Sequence, residues 1–180
     1  ISDDRNSNQS RGCNTATCVC DLNDCYNRPL YECNLELCTS TTDIHIAEGG
    51  VWGTIPESLM ALSDTLTYRF YVWNNQLTGT MPSGLCSLTR LTQNFIVSDN
   101  LLTGTIPSCS GSLALLTHAF SLENNGFTGS IPSSLGSIKG LHNYLKLQNN
   151  HLTGTIPPSL GSITNFKDQV LLARNEGNVF

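Results

Sequence analysis

A chain of 180 residues with a formal net charge of −5 and only 13% charged residues lacks the clustered basic face that nucleic-acid binding normally requires. It has no run of about 18 apolar residues, so no membrane span is predicted. The length and the 39% apolar content are sufficient for one folded domain with a continuous core.

The amino-terminal part of the chain combines a polar tail with a cysteine-rich segment. Residues 1–12 are predicted to be a mobile tail, with an N-glycosylation sequon at Asn8. Residues 13–41 contain Cys13, Cys18, Cys20, Cys25, Cys33 and Cys38. An even number of cysteines in a short segment without periodicity predicts disulfides, a cap over the first end of the fold, and an extracellular or cell-surface location. A zinc site is the alternative, but no regular pair of C-x2-C motifs is present.

From residue 42 onward the sequence is repetitive. Residues 42–47 alternate as a short strand, and a glycine-containing motif then recurs at fixed intervals. Its glycines are Gly53, Gly79, Gly104, Gly129 and Gly154, so the successive steps are 26, 25, 25 and 25. The fullest copies read LTGTMP at 77–82, LTGTIP at 102–107, FTGSIP at 127–132 and LTGTIP at 152–157. Such a period predicts a solenoid, in which each coil buries its apolar face by stacking on its neighbours.

Each coil contains one predicted strand followed by an asparagine. Pairs of apolar residues two apart, such as Phe95 and Val97, indicate strands with one buried face, and their regular recurrence predicts a parallel sheet. The asparagines are Asn75, Asn100, Asn125, Asn150 and Asn175. We expect their amides to bond the backbone of their own and adjacent coils as a structural ladder. Loss of the Asn125 amide is expected to cost about 1–3 kcal/mol.

The outer side of each coil begins at a proline. Apolar residues three apart, such as Leu85 and Leu88, predict a short 3₁₀ or single-turn helix there. The extra residue of the first coil falls at 62–66, in a turn that tolerates insertion. Cys86 and Cys109 lie in the outer turns of adjacent coils, which predicts a disulfide between them; two free buried thiols are the alternative.

These landmarks recur in phase over residues 42–176 and resemble the plant-type extracellular leucine-rich repeat pattern L-x-x-L-x-L-x-x-N-x-L-x-G-x-I-P-x-x-L-G-x-L. The resemblance implies a right-handed α/β leucine-rich repeat solenoid over 42–180. Its roughly five coils would have a concave parallel β-sheet and short 3₁₀ or helical turns on the convex side. It also implies binding on the concave sheet, as in receptor-kinase ectodomains and polygalacturonase-inhibiting proteins. The repeat is one residue longer than usual and the cap lacks W-x-G-V-x-C, which favours an algal or protist relative.

Residues that flank the buried strand positions are expected to point onto the concave face. They vary between coils while the core columns do not, which favours a specific binding surface. The candidate ligand-binding residues are Arg69, Tyr71, Trp73, Asn94, Ile96, Glu123, Tyr144, Lys146 and Gln148. Arg69, Tyr71, Trp73 and Tyr144 form the strongest predicted patch, because aromatic and Arg side chains dominate interface hot spots. The expected ligand is a protein or a cell-wall polysaccharide; the alternative is that these are ordinary amphipathic strand residues.

Catalytic motifs are absent from the sequence. It contains no G-x-S-x-G, H-E-x-x-H or phosphate-binding loop, so we predict a protein that is not an enzyme and needs no cofactor or metal. Stacked Thr-x-Thr motifs, such as Thr103-Gly104-Thr105, would form regular hydroxyl rows. One interpretation of these rows is ice binding, and the other is a short second strand, in which threonine is favoured.

Two hypotheses about function follow. The preferred one is a secreted, non-catalytic binding module. The alternative is a self-assembling extracellular structural or fibre protein, because the last coil reaches Phe180 without the second cysteine cap usual in the family. Phe166, Val170 and Leu172 are then expected at a bare end that could pair with another chain.

Overall fold

The computed structural model describes residues 20, 21, 29 and 42–172. The predicted tail with Asn8, the cap cysteines other than Cys20, and the last ladder residue, Asn175, lie outside the described residues. So does the carboxyl-terminal segment 173–180. The cap disulfides, the glycosylation and the bare end therefore stay predictions.

Seven short strands form a parallel sheet along one side of the described chain. Numbered along the chain and given in spatial order, they are β1 (Cys20–Asp21), β2 (Asp43–His45), β4 (Arg69–Tyr71), β6 (Asn94–Ile96), β8 (Ala119–Ser121), β10 (Tyr144–Lys146) and β12 (Gln169–Leu171). The register is uniform, so residues at equivalent positions of successive coils, such as Phe95 and Phe120, are directly paired. The predicted parallel sheet is confirmed, and β1 extends it into the segment predicted as the cap.

Two smaller parallel sheets of the described chain lie along the Thr-x-Thr motifs, of which Thr103-Gly104-Thr105 alone falls wholly within a strand. One pairs β3 (Trp52–Thr54) with β5 (Gln76–Thr78), and the other joins β7 (Thr103–Thr105), β9 (Gly126–Gly129) and β11 (His151–Leu152). A Cβ atom at Gly104, whose φ is +79°, would lie 2.8 Å from Thr80 Cγ2. The coils therefore approach closely here because the motif has glycine at this position.

Five 3₁₀ helices among residues 42–172 form the outer side of the coils. They span Glu57–Asp64, Ser83–Ser87, Ser108–Ser112, Ser133–Ser137 and Pro158–Ser162. Each follows a proline at its N-cap, so the predicted outer turns are confirmed. The first helix is the longest, and the extra residue of the first coil falls at its end. In the described part of the chain, no helix has the length and apolar character needed to cross a membrane.

The core lies between the sheet and the 3₁₀ helices. Phe70, Phe95 and Phe120 form a stacked column, with ring centroids 5.2 and 5.4 Å apart. All three are almost completely buried, and the column continues through Leu145 to Val170, which is 42% exposed. A second, buried column from the helix side consists of Leu62, Leu88, Leu113, Ile138 and Ile163. Each coil thus buries its apolar face against its neighbours, as expected for a solenoid.

The recurrent asparagines connect successive coils. Asn100 Oδ1 accepts a hydrogen bond from Leu77 N at 3.0 Å, while its Nδ2 donates to Val72 O in the preceding coil and to Val97 O and Ser98 O in its own. The same pattern recurs at Asn75, which donates one bond fewer, and at Asn125 and Asn150. One side-chain amide therefore forms hydrogen bonds with several backbone groups that lie outside the strand pairings.

Adjacent outer helices pack by two different means. Cys86 and Cys109 form a disulfide, with their Cα atoms 5.5 Å apart. The next two coils place Gly111 and Gly136 at the position of Cys86. There a Cβ atom on either glycine would overlap the backbone of the next coil, at Ser134 or Ser159. The disulfide thus joins the same two template positions that elsewhere are in direct backbone contact.

Candidate functional site

The concave face is formed by the side chains that alternate with the buried column. Around β4 these are Arg69, Tyr71 and Trp73, all half-buried, whereas β8 supplies the small Ala119 and Ser121. Since strands are about 4.8 Å apart, large side chains from β4 and β10 can lean over the small ones between them. The sequence therefore produces a depression in the centre of the sheet.

The depression is a cavity of about 170 Å³. Its lining comes from four consecutive coils and consists of Tyr71, Trp73, Ile96, Ser98, Asp99, Ser121, Glu123 and Tyr144. Ile96, Ser98 and Ser121 are at most 4% exposed and form the floor. We call this cavity the concave pocket.

Two tyrosines converge over the pocket from strands three positions apart. Burial of Tyr144 is the main cause that raises its pKa to about 12, and the charge of Tyr71, a hydrogen bond to Tyr71 and the charge of Glu123 contribute further. Tyr144 is therefore a neutral phenol at physiological pH. Both phenol rings border the same pocket, whose floor includes the small Ser121 of β8.

Alkaline titration is expected to show this pairing. The pKa of Tyr144 is raised in the folded state. The contribution of Tyr144 to folding stability is therefore complete below its pKa in the unfolded chain, about 10, and is lost as the pH rises through about 12. In an ultraviolet titration of tyrosinate, Tyr144→Phe should remove the component that ionises last. Tyr68→Phe, which changes an exposed tyrosine outside the pocket, should leave that component in place. An unchanged titration of the Tyr144→Phe protein would contradict the assignment.

Glu123 in the pocket wall is held by two candidate residues that do not themselves line the pocket, Lys146 and Gln148. Lys146 Nζ donates to Glu123 Oε1 at 3.2 Å and lies 4.8 Å from the centroid of the Tyr144 ring. Gln148 Nε2 donates to Glu123 Oε2. Glu123 is thereby neutralised by Lys146 and held by Gln148, which is only 6% exposed and whose Oε1 has no hydrogen-bond partner in the described structure.

Arg69 is directed away from the predicted aromatic patch. Its Nε and Nη2 donate to the carboxylate of Asp43, with an Nη2–Oδ2 distance of 2.5 Å. These hydrogen bonds raise the pKa of Arg69 above its ordinary value, although partial burial opposes them. The structure thus brings Tyr71, Trp73 and Tyr144 together, while Arg69 and Asn94 do not line the pocket.

Asp99, Ser98 and Ser121 also line the pocket, although the sequence patterns did not single them out as binding residues. Asp99 occupies a template position that is asparagine in three other coils, at Asn74, Asn124 and Asn149, and all four have a φ near +55°. Glu48 has a φ of 54° at the same position of the first coil, so Asp99 is one of two acidic residues there. This departure from asparagine was the available signal. Nothing in the sequence distinguished the two serines, because their role depends on the large side chains that cover them.

Three hydroxyls of the predicted threonine rows have hydrogen-bond partners in the neighbouring coil. Thr78, Thr103 and Thr128 donate their hydroxyls to the carbonyls of Gly53, Gly79 and Gly104 in the preceding coils. The rings of His118 and His142 are 4.7 Å apart just before β8 and β10, where burial and then the charges of His142 and Lys167 lower the pKa of His118. Among the described residues, no group of three or more His, Cys, Asp or Glu side chains could hold a metal ion.

Sequence comparison identifies two repeats directly. The Leucine Rich Repeat family model matches residues 118–138 and 143–163. No curated protein matches the sequence.

Several solved structures share the fold. The crystal structure of a TDR receptor is 33% identical, with a TM-score of 0.65 over 72% of this chain and 22% of that one. The ectodomain of the Arabidopsis thaliana membrane receptor kinase GASSHO1/SCHENGEN3, solved with CASPARIAN STRIP INTEGRITY FACTOR 2, is 26% identical, with a TM-score of 0.60 over 84% of this chain and 20% of that one. A plant ice-binding protein is 21% identical, with a TM-score of 0.63 over 84% and 46% of the two chains, and shows similarity of fold alone. The chain spans about a fifth of the length of the first two proteins.

Proposed function

Because the chain belongs to the plant-type extracellular leucine-rich repeat family, we propose that it is a non-catalytic module that binds a protein ligand on its concave face, outside the cell. The observation that carries this proposal is the concave pocket, in which Tyr71, Trp73 and Tyr144 border a floor of buried residues. Aromatic anchors around a largely desolvated centre are typical of interface hot spots. The related GASSHO1/SCHENGEN3 ectodomain was solved as a complex with CASPARIAN STRIP INTEGRITY FACTOR 2, which supports a protein ligand.

The test is a selection followed by a matched pair of variants. A phage-displayed peptide library and a cell-wall glycan array are screened against the protein, and selected ligands are then measured against Trp73→Ala and Trp52→Ala. Both tryptophans are partly accessible, but Trp52 lies in β3, away from the concave sheet. Trp73→Ala is expected to weaken binding of a selected peptide by at least about tenfold, whereas Trp52→Ala should have little effect.

The two variants separate the competing surfaces. Peptides that lose affinity for Trp52→Ala but retain it for Trp73→Ala would place the binding surface on the Thr-x-Thr side and contradict the proposal. Selection of glycans alone, with the same sensitivity to Trp73→Ala, would keep the concave site and replace the protein ligand by a polysaccharide. Light scattering of the same samples tests the self-assembly alternative, since a mass that is independent of concentration contradicts it.

A further inference from the structure

We propose that the concave pocket holds a basic side chain of the protein partner, an arginine in preference to a lysine. This inference rests on the proposed function and specifies the chemistry that the same site recognises. Three features of the pocket support it: an acidic group without an ion pair, a lining of aromatic rings, and a buried oxygen without a hydrogen bond.

The first feature is the charge balance of the pocket. Lys146 neutralises Glu123, and Arg69 neutralises Asp43 outside the pocket. Asp99 forms no ion pair among the described residues. Its Oδ1 accepts a hydrogen bond from Asn124 Nδ2 at 2.6 Å, so the second oxygen is available for another donor. The pocket therefore has one uncompensated negative charge, in a protein whose formal net charge of −5 also attracts cations.

The second feature is the aromatic lining. Tyr71, Trp73 and Tyr144 all border the pocket, and the electron-rich faces of such rings attract ammonium and guanidinium groups. Lys146 already lies over the ring of Tyr144, which shows that this environment accepts a cation. A planar guanidinium can stack on a ring and still direct its N–H groups at oxygen atoms, which an ammonium group cannot do as well.

The third feature is the buried Ser121 at the floor. Ser121 is 1% exposed, and its Oγ has no hydrogen-bond partner in the described structure. An unsatisfied buried hydroxyl is unfavourable, so a ligand that donates a hydrogen bond here gains affinity. A guanidinium has five N–H donors and no acceptor, which matches Ser121 Oγ and the carboxylate of Asp99. A neutral sugar would leave the charge of Asp99 unpaired.

The test uses two peptides that differ only in charge. The probe Ac-Gly-Arg-Gly-NH2 and its citrulline analogue, a neutral isostere, are titrated into ¹⁵N-labelled protein, and the shift of the Trp73 indole N–H is followed. Asp99→Asn is the matched variant, because asparagine occurs naturally at the same positive φ in Asn74 and Asn124 and keeps an oxygen for Asn124. Ser121→Ala removes the floor hydroxyl without adding bulk.

The arginine probe should bind saturably and at least about tenfold more tightly than the citrulline probe, since hydrogen bonds to charged groups are the stronger ones. Asp99→Asn should remove most of this difference, and Ser121→Ala should weaken the arginine probe severalfold. Equal affinity for the two probes, no saturable shift of Trp73, or tighter binding of methyl β-glucoside that is unaffected by Asp99→Asn would each overturn the inference. If Trp73→Ala still weakens binding of library-selected ligands in that case, the inference of a basic side chain fails and the proposal of concave-face binding stands.

Discussion

Replacing Gly136 by alanine is expected to lower the free energy of unfolding by about 3 kcal/mol, because the added methyl group has no space between two coils. A Cβ atom there would lie 2.5 Å from the carbonyl carbon of Ser159, far inside the roughly 3.5 Å at which carbon atoms touch. The obstruction is backbone rather than a flexible side chain, so whole 3₁₀ helices must move apart. Urea unfolding followed by circular dichroism measures the loss.

Gly161→Ala is the matched control. Gly161 occupies the same template position one coil further on, but a Cβ atom added there would have no atom of the described residues within 4 Å. This variant should stay within about 0.5 kcal/mol of the parent protein, as is usual for surface substitutions. If both alanine variants are equally stable, the close packing of the outer helices is not a determinant of the fold.

Replacing Asn100 by alanine is expected to cost about 2–3 kcal/mol, the second-largest effect. Asn100 is only 7% exposed, and its amide is the partner of Leu77 N and Val72 O, so truncation leaves buried backbone groups without hydrogen bonds. The variant should unfold at lower urea concentration with an unchanged slope, because the surface exposed on unfolding is nearly the same.

Asn94→Ala provides the comparison for Asn100→Ala. Asn94 lies on the concave face, is half-buried, and its side chain forms no hydrogen bond with the described residues. Its replacement should change stability by less than about 0.5 kcal/mol. Similar losses for the two variants would mean that the ladder of amides contributes nothing beyond ordinary burial.

The architecture was predictable because every coil of a solenoid repeats the same local sequence pattern. The spacing of Gly79 and Gly104, the apolar pair of Phe95 and Val97, and the proline before each outer turn are each local patterns that determine a strand or turn. In-phase repetition then leaves stacking as the way to bury the apolar faces. The parallel sheet and the outer 3₁₀ helices followed from this pattern alone.

The concave pocket was only partly predictable, because it depends on side chains from several coils. Tyr71 and Tyr144 are distant in sequence, in β4 and β10, yet both border the same pocket together with Ser121. Sequence patterns placed these residues on one face but contained no information about which way they lean. Arg69 was expected in the patch and instead forms an ion pair with Asp43, since that carboxylate stands directly beside it in the neighbouring strand.

The distribution of glycine along the outer helices shows the same limit. Gly111 and Gly136 look like ordinary turn glycines in the sequence, whereas the structure requires them because adjacent backbones touch. The equivalent Cys86 is tolerated because its partner at that contact is Cys109, with which it forms a disulfide. The residue that fits at one position of an outer helix thus depends on the residue it contacts in the next coil, and the repeat pattern of a single sequence does not reveal this dependence.

The most direct test of concave-face binding is the fluorescence of Trp73 in a Trp52→Phe protein, where it is the remaining tryptophan of the two in the chain. Titration with the tightest peptide from the library should change the emission of Trp73, and the change should saturate at the same Kd as an independent binding measurement. That result would place the ligand at the concave pocket. Full binding of the peptide with no change in Trp73 emission would contradict concave-face binding and locate recognition on another face of the solenoid.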